Sequence, residues 1–143
     1  MPVAVKRVYE SASRADGTRV LVDRLWPRGL RKAEVAADEW LRKLAPSNEL
    51  RKWFHAQPEK WSLFRKRYLK ELAAPEAEAD LQTLYHLAHK RNRLTLLFAS
   101  KNESQNNAVV LKGLLDGMRK PPTGTGSGVL RDSRTRTASA RRR

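Results

Sequence analysis

Apolar residues fall along this chain in two patterns, short continuous runs and regularly spaced stripes, and each predicts a different element. Residues 3–9 are rich in valine and end at Tyr9, which reads as a strand. Val20-Leu21-Val22 is a short apolar run that suits a strand covered on both faces. It follows a turn signal at Asp16-Gly17 and gives way to Asp23-Arg24-Leu25-Trp26-Pro27-Arg28-Gly29, where Pro27 and Gly29 stop regular structure. Leu94-Thr95-Leu96-Leu97-Phe98-Ala99 is the clearest strand, apolar enough to be central. The stripes predict helices. Ser47 is a good N-cap for a short helix with Leu50, Trp53 and Phe54 on its apolar side. Pro58 stands where the first turn of a second helix is expected, and Trp61, Phe64, Tyr68 and Leu72 follow at spacings of 3, 4 and 4. After Pro75, a third helix carries Leu81, Leu84, Tyr85 and Ala88. A last one carries Ala108, Leu111, Leu115 and Met118, stopped by Pro121-Pro122. Residues 34–45 are ambiguous, because their alanines favour a helix that only Pro46 closes.

Strands near both ends with helices between them predict an α/β fold. The expected form is a small, mostly parallel sheet of about four strands flanked by helices, a Rossmann-like three-layer arrangement. Residues 1–120 form one domain on this reading, and residues 121–143 a disordered basic tail. Ligands of such sheets sit beyond the carboxyl ends of the strands. That places Asp23–Gly29 after one strand and Lys101–Asn107 after another, leading into a helix N-terminus.

Composition narrows the chemistry. The 143 residues include no cysteine, which excludes disulfides, thiolate catalysis and cysteine-based zinc sites. No apolar run approaches the roughly 20 residues needed to span a bilayer. The first residues lack the apolar core of a signal peptide, so a cytoplasmic protein without membrane contact is expected. The formal charge is +15, of which residues 123–143 contribute +5 through six arginines set against Asp132. Such a surplus favours polyanions such as RNA, DNA or nucleotides, and equally serves solubility.

DGTRVLVDRLWPRGL at residues 16–30, LAPSNELRKWFHAQPEKWSLFRKRYLKEL at 44–72 and LTLLFASKNESQNNAVVL at 94–111 together resemble the YeaO-like proteins, a domain of unknown function (family 488). The blocks stand in the family's order and cover most of residues 1–120; the tail lies outside the resemblance. It implies an α/β fold, no established activity, and an extended segment leading into the Pro46-Ser47 helix start, hence a strand at 38–45 against local propensity. One departure is visible: the family commonly has aspartate after the lysine of the third block, where this chain has Asn102. Had that carboxylate been a base or metal ligand, this chain would lack it.

Two clusters could carry function. Asp23, Arg24 and Arg28 combine a carboxylate with two guanidiniums, whose fork matches phosphate geometry, and Trp26 offers a stacking face. The plain alternative is an Asp23–arginine pair pinning the loop over a packed Trp26. At a helix N-terminus Lys101 could add a point charge and Asn106 or Asn107 could donate hydrogen bonds to an anion, against simple capping by the asparagines. Arg7, a charge in the first strand, either joins the same cleft or lies on a solvated face. His86 and His89 lack the partners of a metal site, and neither a metal nor a cofactor is expected. His55 is either an acid–base or a structural histidine. The aromatic residues between Arg51, Lys52, Arg65 and Arg67 suggest either a nucleic-acid face or, more plainly, core beneath a solvated surface. The leading expectation is recognition of a phosphate-bearing ligand, nucleotide or nucleic acid, in a cleft of Arg7, Asp23, Arg24, Trp26, Arg28, Lys101 and Asn106, with the tail adding affinity. A small enzyme using Asp23 as acid–base on an anionic substrate, or an interaction or dimerisation module, are the alternatives.

Overall fold

A computed structural model describes residues 3–90 and 93–122. The expectation for residues 123–143 lies outside these. The elements are β1 (Val3–Arg7), β2 (Thr18–Leu21), α1 (Lys32–Val35), β3 (Glu39–Trp40), α2 (Asn48–Ala56), α3 (Trp61–Leu72), α4 (Glu78–Lys90), β4 (Leu94–Phe98) and α5 (Asn107–Gly117). The four strands form one parallel sheet in the order β1-β4-β2-β3, with Val3 opposite Leu94 and Thr18 opposite Leu94 on its other side. β4 is buried along its whole length, as its unbroken apolar run requires.

Alternation along the strands sorts side chains between two faces. Val3, Val20, Leu94, Leu96 and Phe98 join the main core with Phe64, Tyr68 and Leu72 of α3, Leu81 and Leu84 of α4, and Leu111 and Leu115 of α5. The stripes read from the sequence are therefore the buried faces of these helices. On the opposite face a smaller cluster of Val8, Leu21 and Leu97 is covered by Val35 of the single-turn α1 and by Leu30, Ala37, Trp40 and Ala99. The three layers are thus unequal, with every long helix contributing to one side.

The thin side is completed by polar chemistry. Arg19, 4% exposed, donates to the Asp16 carboxylate, to the Ala36 carbonyl at 3.1 Å and to the Val35 carbonyl at 2.7 Å. Lys6 reaches both Asp16 oxygens at 3.1 Å, and Thr95 donates to the Asp16 carbonyl at 2.7 Å. Arg19 so binds the left-handed end of α1, where Ala36 has φ 48°.

Two local expectations need correction. The strand at 38–45 is only Glu39–Trp40, followed by a 3-10 turn at Arg42–Leu44. The alanine-rich stretch before it yields one helical turn, because Arg19 and Asp38 hold the chain beside β2 instead. Pro58 lies in the turn ahead of α3, whose first residue is Trp61. The N-cap at Ser47 forms as expected, its hydroxyl accepting from the Leu50 N–H at 3.1 Å.

Gly17 makes the register of β2 possible. Its φ is +66°, and a Cβ there would stand 2.4 Å from the Arg93 carbonyl oxygen, which accepts from the Thr18 N–H at 3.1 Å. Gly17→Ala is expected to cost about 1–3 kcal/mol through backbone strain before the clash is added, read as a lowered urea midpoint.

Candidate functional site

Beyond the carboxyl ends of β2 and β4 lies a cleft of about 680 Å³. It is lined by the loop Asp23–Arg28 after β2, the loop Ala99–Asn107 after β4, α2 with its flanking prolines, and Phe64 of α3. Arg24, Arg28, Lys101 and Asn106 all border it, so the two polar blocks meet on one rim. Its walls are mainly apolar, from Leu25, Trp26, Pro27, Phe54 and Phe64.

Asp23 stands at the junction. One carboxylate oxygen accepts from the Ala99 N–H at 2.9 Å, the other from the Asn107 side-chain amide at 3.0 Å. The same amide nitrogen donates to the Val22 carbonyl at 2.9 Å. Asp23 thereby ties the end of β2 to the end of β4 and the start of α5. Burial pushes its carboxyl above the ordinary value, opposed by the bonds from Asn107 and Ala99 and by the charge of Arg51. Behind it, the fully buried Tyr68 hydroxyl donates to the Leu44 carbonyl, and burial with the nearby Asp23 and Glu71 charges raises its pKa well above the usual phenol range.

The cations differ in how they are held. Arg24 donates to the Ala45 carbonyl at 3.2 Å and the Pro46 carbonyl at 3.4 Å, which fixes its guanidinium against the segment before α2. Some of its five N–H donors remain for a ligand. Arg28 and Lys101 are exposed, and among the described residues neither side chain makes a hydrogen bond or ion pair. The Arg28 carbonyl is held by the Tyr9 hydroxyl at 2.9 Å, fixing the loop that carries it. Trp26 is pinned by its polar edge, its indole N–H donating to the Leu30 carbonyl at 2.7 Å and its ring meeting Trp40 edge-on at 5.3 Å. It remains 38% exposed.

Two expected members behave otherwise. Arg7 does not line the cleft: its guanidinium donates to the Ser100 and Ala99 carbonyls, each at 3.0 Å, and lies over the Tyr9 ring. It braces the loop from behind. Asn106 caps α5, accepting from the Val109 N–H at 3.1 Å while its amide donates to the Asn102 carbonyl at 2.8 Å. Asn102 in turn accepts from the N–H groups of Ser104 and Gln105, shaping the loop.

The site also contains two residues not assigned to it from sequence, Arg51 and His55 of α2, which line the cleft opposite the strand ends. Asn107, a candidate donor to an anion, instead donates to Asp23. The signal was the four-residue spacing of Arg51 and His55 on one helix face, next to Phe54. The aromatic residues of α2 and α3 are largely internal: Phe54, Trp61, Phe64 and Tyr68 stack on one another at centroid distances of 4.4–5.8 Å. His89 stacks on Tyr85 at 4.1 Å. Among the described residues no group of three or more His, Cys, Asp or Glu could hold a metal ion, and no helix is long and apolar enough to cross a membrane.

Residues 2–123 match the model of a family described as the inactive DUF488-N3 subclade. The chain belongs to this DUF488 family. It is 49% identical over 111 residues to the uncharacterized protein YeaO of Escherichia coli K12, covering 78% of this chain and 94% of that one. It is 43% identical over 115 residues to the uncharacterized protein Rv3073c of Mycobacterium tuberculosis H37Rv, covering 80% of this chain and 94% of the relative. No solved structure matches significantly. The DUF488 match takes in every residue that lines the cleft.

Proposed function

We propose that this cytoplasmic DUF488 protein recognises a phosphate-bearing ligand, a nucleotide or a nucleic acid, in the strand-end cleft and does not turn it over. The observation that carries this reading is the convergence of Arg24, Arg28, Arg51 and Lys101 on one concavity whose only carboxylate among the described residues is Asp23. Cations gathered in a cleft with low-dielectric walls concentrate field on an anion. Both Asp23 oxygens are engaged in joining β2, β4 and α5, which supports a structural carboxylate. The family's description as an inactive subclade supports the same view. Should the ligand be a nucleic acid, the arginine-rich residues 131–143 would add sequence-independent affinity.

A small enzyme using Asp23 as acid–base is the second reading, favoured by the raised carboxyl pKa of Asp23 in a cleft. One variant separates them. Asp23→Asn loses one acceptor and is expected to cost about 1–3 kcal/mol of stability with ligand affinity largely kept. Turnover of a phosphorylated compound by the wild type, abolished in Asp23→Asn, would replace the binding reading with the enzymatic one. For the binding reading itself, Arg28→Ala should weaken a phosphorylated ligand by about 1.5–3 kcal/mol, the value of a charge-assisted hydrogen bond, measured by calorimetry. Unchanged affinity would move the ligand elsewhere.

A further inference from the structure

The cleft reading leaves open whether the ligand is a single nucleotide or a length of nucleic acid, and the architecture of the cleft bears on the choice. A groove that follows a polynucleotide spreads its cations along a track and offers successive stacking platforms. This cleft does neither. Its cations arrive from three separate segments, Arg24 and Arg28 after β2, Arg51 on α2 and Lys101 after β4, and they border one concavity. Its volume of about 680 Å³ falls within the roughly 300–1,000 Å³ typical of pockets that enclose one small organic ligand.

The apolar part is equally localised. Trp26 is the single tryptophan lining the cleft. Its indole N–H is already engaged by the Leu30 carbonyl, so what this residue, 38% exposed, offers a ligand is ring surface. Leu25 beside it is 63% exposed, more than any other large hydrophobic residue among those described. An apolar side chain so exposed beside cleft cations is suited to cover by the flat organic portion of a ligand whose charge those cations hold.

Resting on the cleft reading above, we infer that the ligand is a single nucleotide with a terminal phosphomonoester, its base over Trp26 and Leu25 and its phosphate among Arg24, Arg28, Arg51 and Lys101. A phosphomonoester concentrates up to two charges on one phosphorus and presents three terminal oxygens to donors converging from several sides. A phosphodiester inside a strand carries one charge and has chain leaving it in both directions.

The test is a titration of the full chain with adenosine 5′-monophosphate, adenosine, inorganic phosphate, and a single-stranded oligonucleotide without terminal phosphate, followed by calorimetry at fixed salt. Adenosine 5′-monophosphate should bind at least tenfold more tightly than adenosine or phosphate alone. Trp26→Leu should weaken it about tenfold and leave inorganic phosphate unaffected. Leu25→Ser, at an exposed position that does not threaten folding, should weaken it by a smaller factor in the same direction. If the oligonucleotide binds and the mononucleotide does not, with Arg28→Ala weakening the oligonucleotide, the single-nucleotide inference falls and the cleft reading stands. If phosphate binds as well as the nucleotide and neither Trp26→Leu nor Leu25→Ser has an effect, the base position is wrong. If nothing phosphorylated binds, or Arg28→Ala changes nothing, the cleft reading falls as well.

Discussion

Replacing Asp16 with alanine is expected to cost about 3–5 kcal/mol, the loss seen when one partner of a buried pair is removed and the other keeps its charge. Asp16 is 8% exposed and Arg19 4%. Its carboxylate receives Arg19, Lys6 and the Ser13 N–H, and the Arg19 guanidinium makes no other ion pair among the described residues. Arg19 would keep its bonds to Val35 and Ala36, yet its charge would lie under α1 without a counter-ion. Urea unfolding gives the measurement. Adding Arg19→Met to Asp16→Ala should recover a substantial part of the loss, since apolar residues of similar volume often replace a buried pair at little cost. No recovery would mean that the contacts of Arg19 to α1 matter more than its charge. The pH dependence has a definite sign. Burial raises the Asp16 pKa, but the Ser13 bond and the bonds from Lys6 and Arg19 together hold it below the ordinary value. Its stabilisation is therefore full above the ordinary carboxylate range and lost as pH falls through that range towards the folded value. Asp16→Ala should flatten this acid limb. Asp23, with its pKa raised, acts oppositely: its ionisation works against folding as pH rises from the ordinary value through the folded one.

The double substitution Arg24→Ala with Arg28→Ala should abolish the thermal shift given by any phosphorylated ligand. Two charge-assisted bonds of about 1.5–3 kcal/mol each correspond to a loss of two to four orders of magnitude in affinity if they add. Additivity is a strong assumption for neighbours on one loop. Arg24 also holds the Ala45 and Pro46 carbonyls, so its removal loosens the approach to α2. The unfolding midpoint without ligand measures that part, and comparison with Arg28→Ala alone isolates the charge. A double variant that is shifted as much as wild type would leave the cleft without a role in binding.

Much of this was legible in the residues. The apolar run at Leu94–Phe98 marked the central strand, and the stripes from Phe64 to Leu72 and from Leu81 to Ala88 marked helices, because burial there follows a single period. The two polar blocks announced the rim because each directly follows a strand. What stayed hidden depends on partners distant in sequence. β3 exists through its pairing with β2 and the bond of Asp38 to the Arg19 N–H at 2.8 Å, and nothing local in an alanine-rich stretch signals either. Arg7, a charge within the first strand, reads as either a cleft cation or a residue of a solvated face, whereas its target is a pair of backbone carbonyls 92 and 93 residues away. Arg51 and His55 reach the cleft only because the α2–α3 hairpin folds over the strand ends, which their polarity alone could not indicate.

The strand order carries a consequence for synthesis of the chain. β1 and β2 are neighbours in sequence, yet each is bonded to β4 and not to the other. On the ribosome, β1 must therefore wait without its sheet partner until residues 94–98 have emerged, and β2 has only the two residues of β3 to pair with. Among the described residues, a chain halted before residue 94 holds four helices and three strands but has no middle to its sheet. The closing contacts span most of the sequence, a topology that slows folding. Assembly is therefore decided late, by the last of the described strands, and the nascent protein depends until then on whatever keeps its valine-rich first strand from other partners.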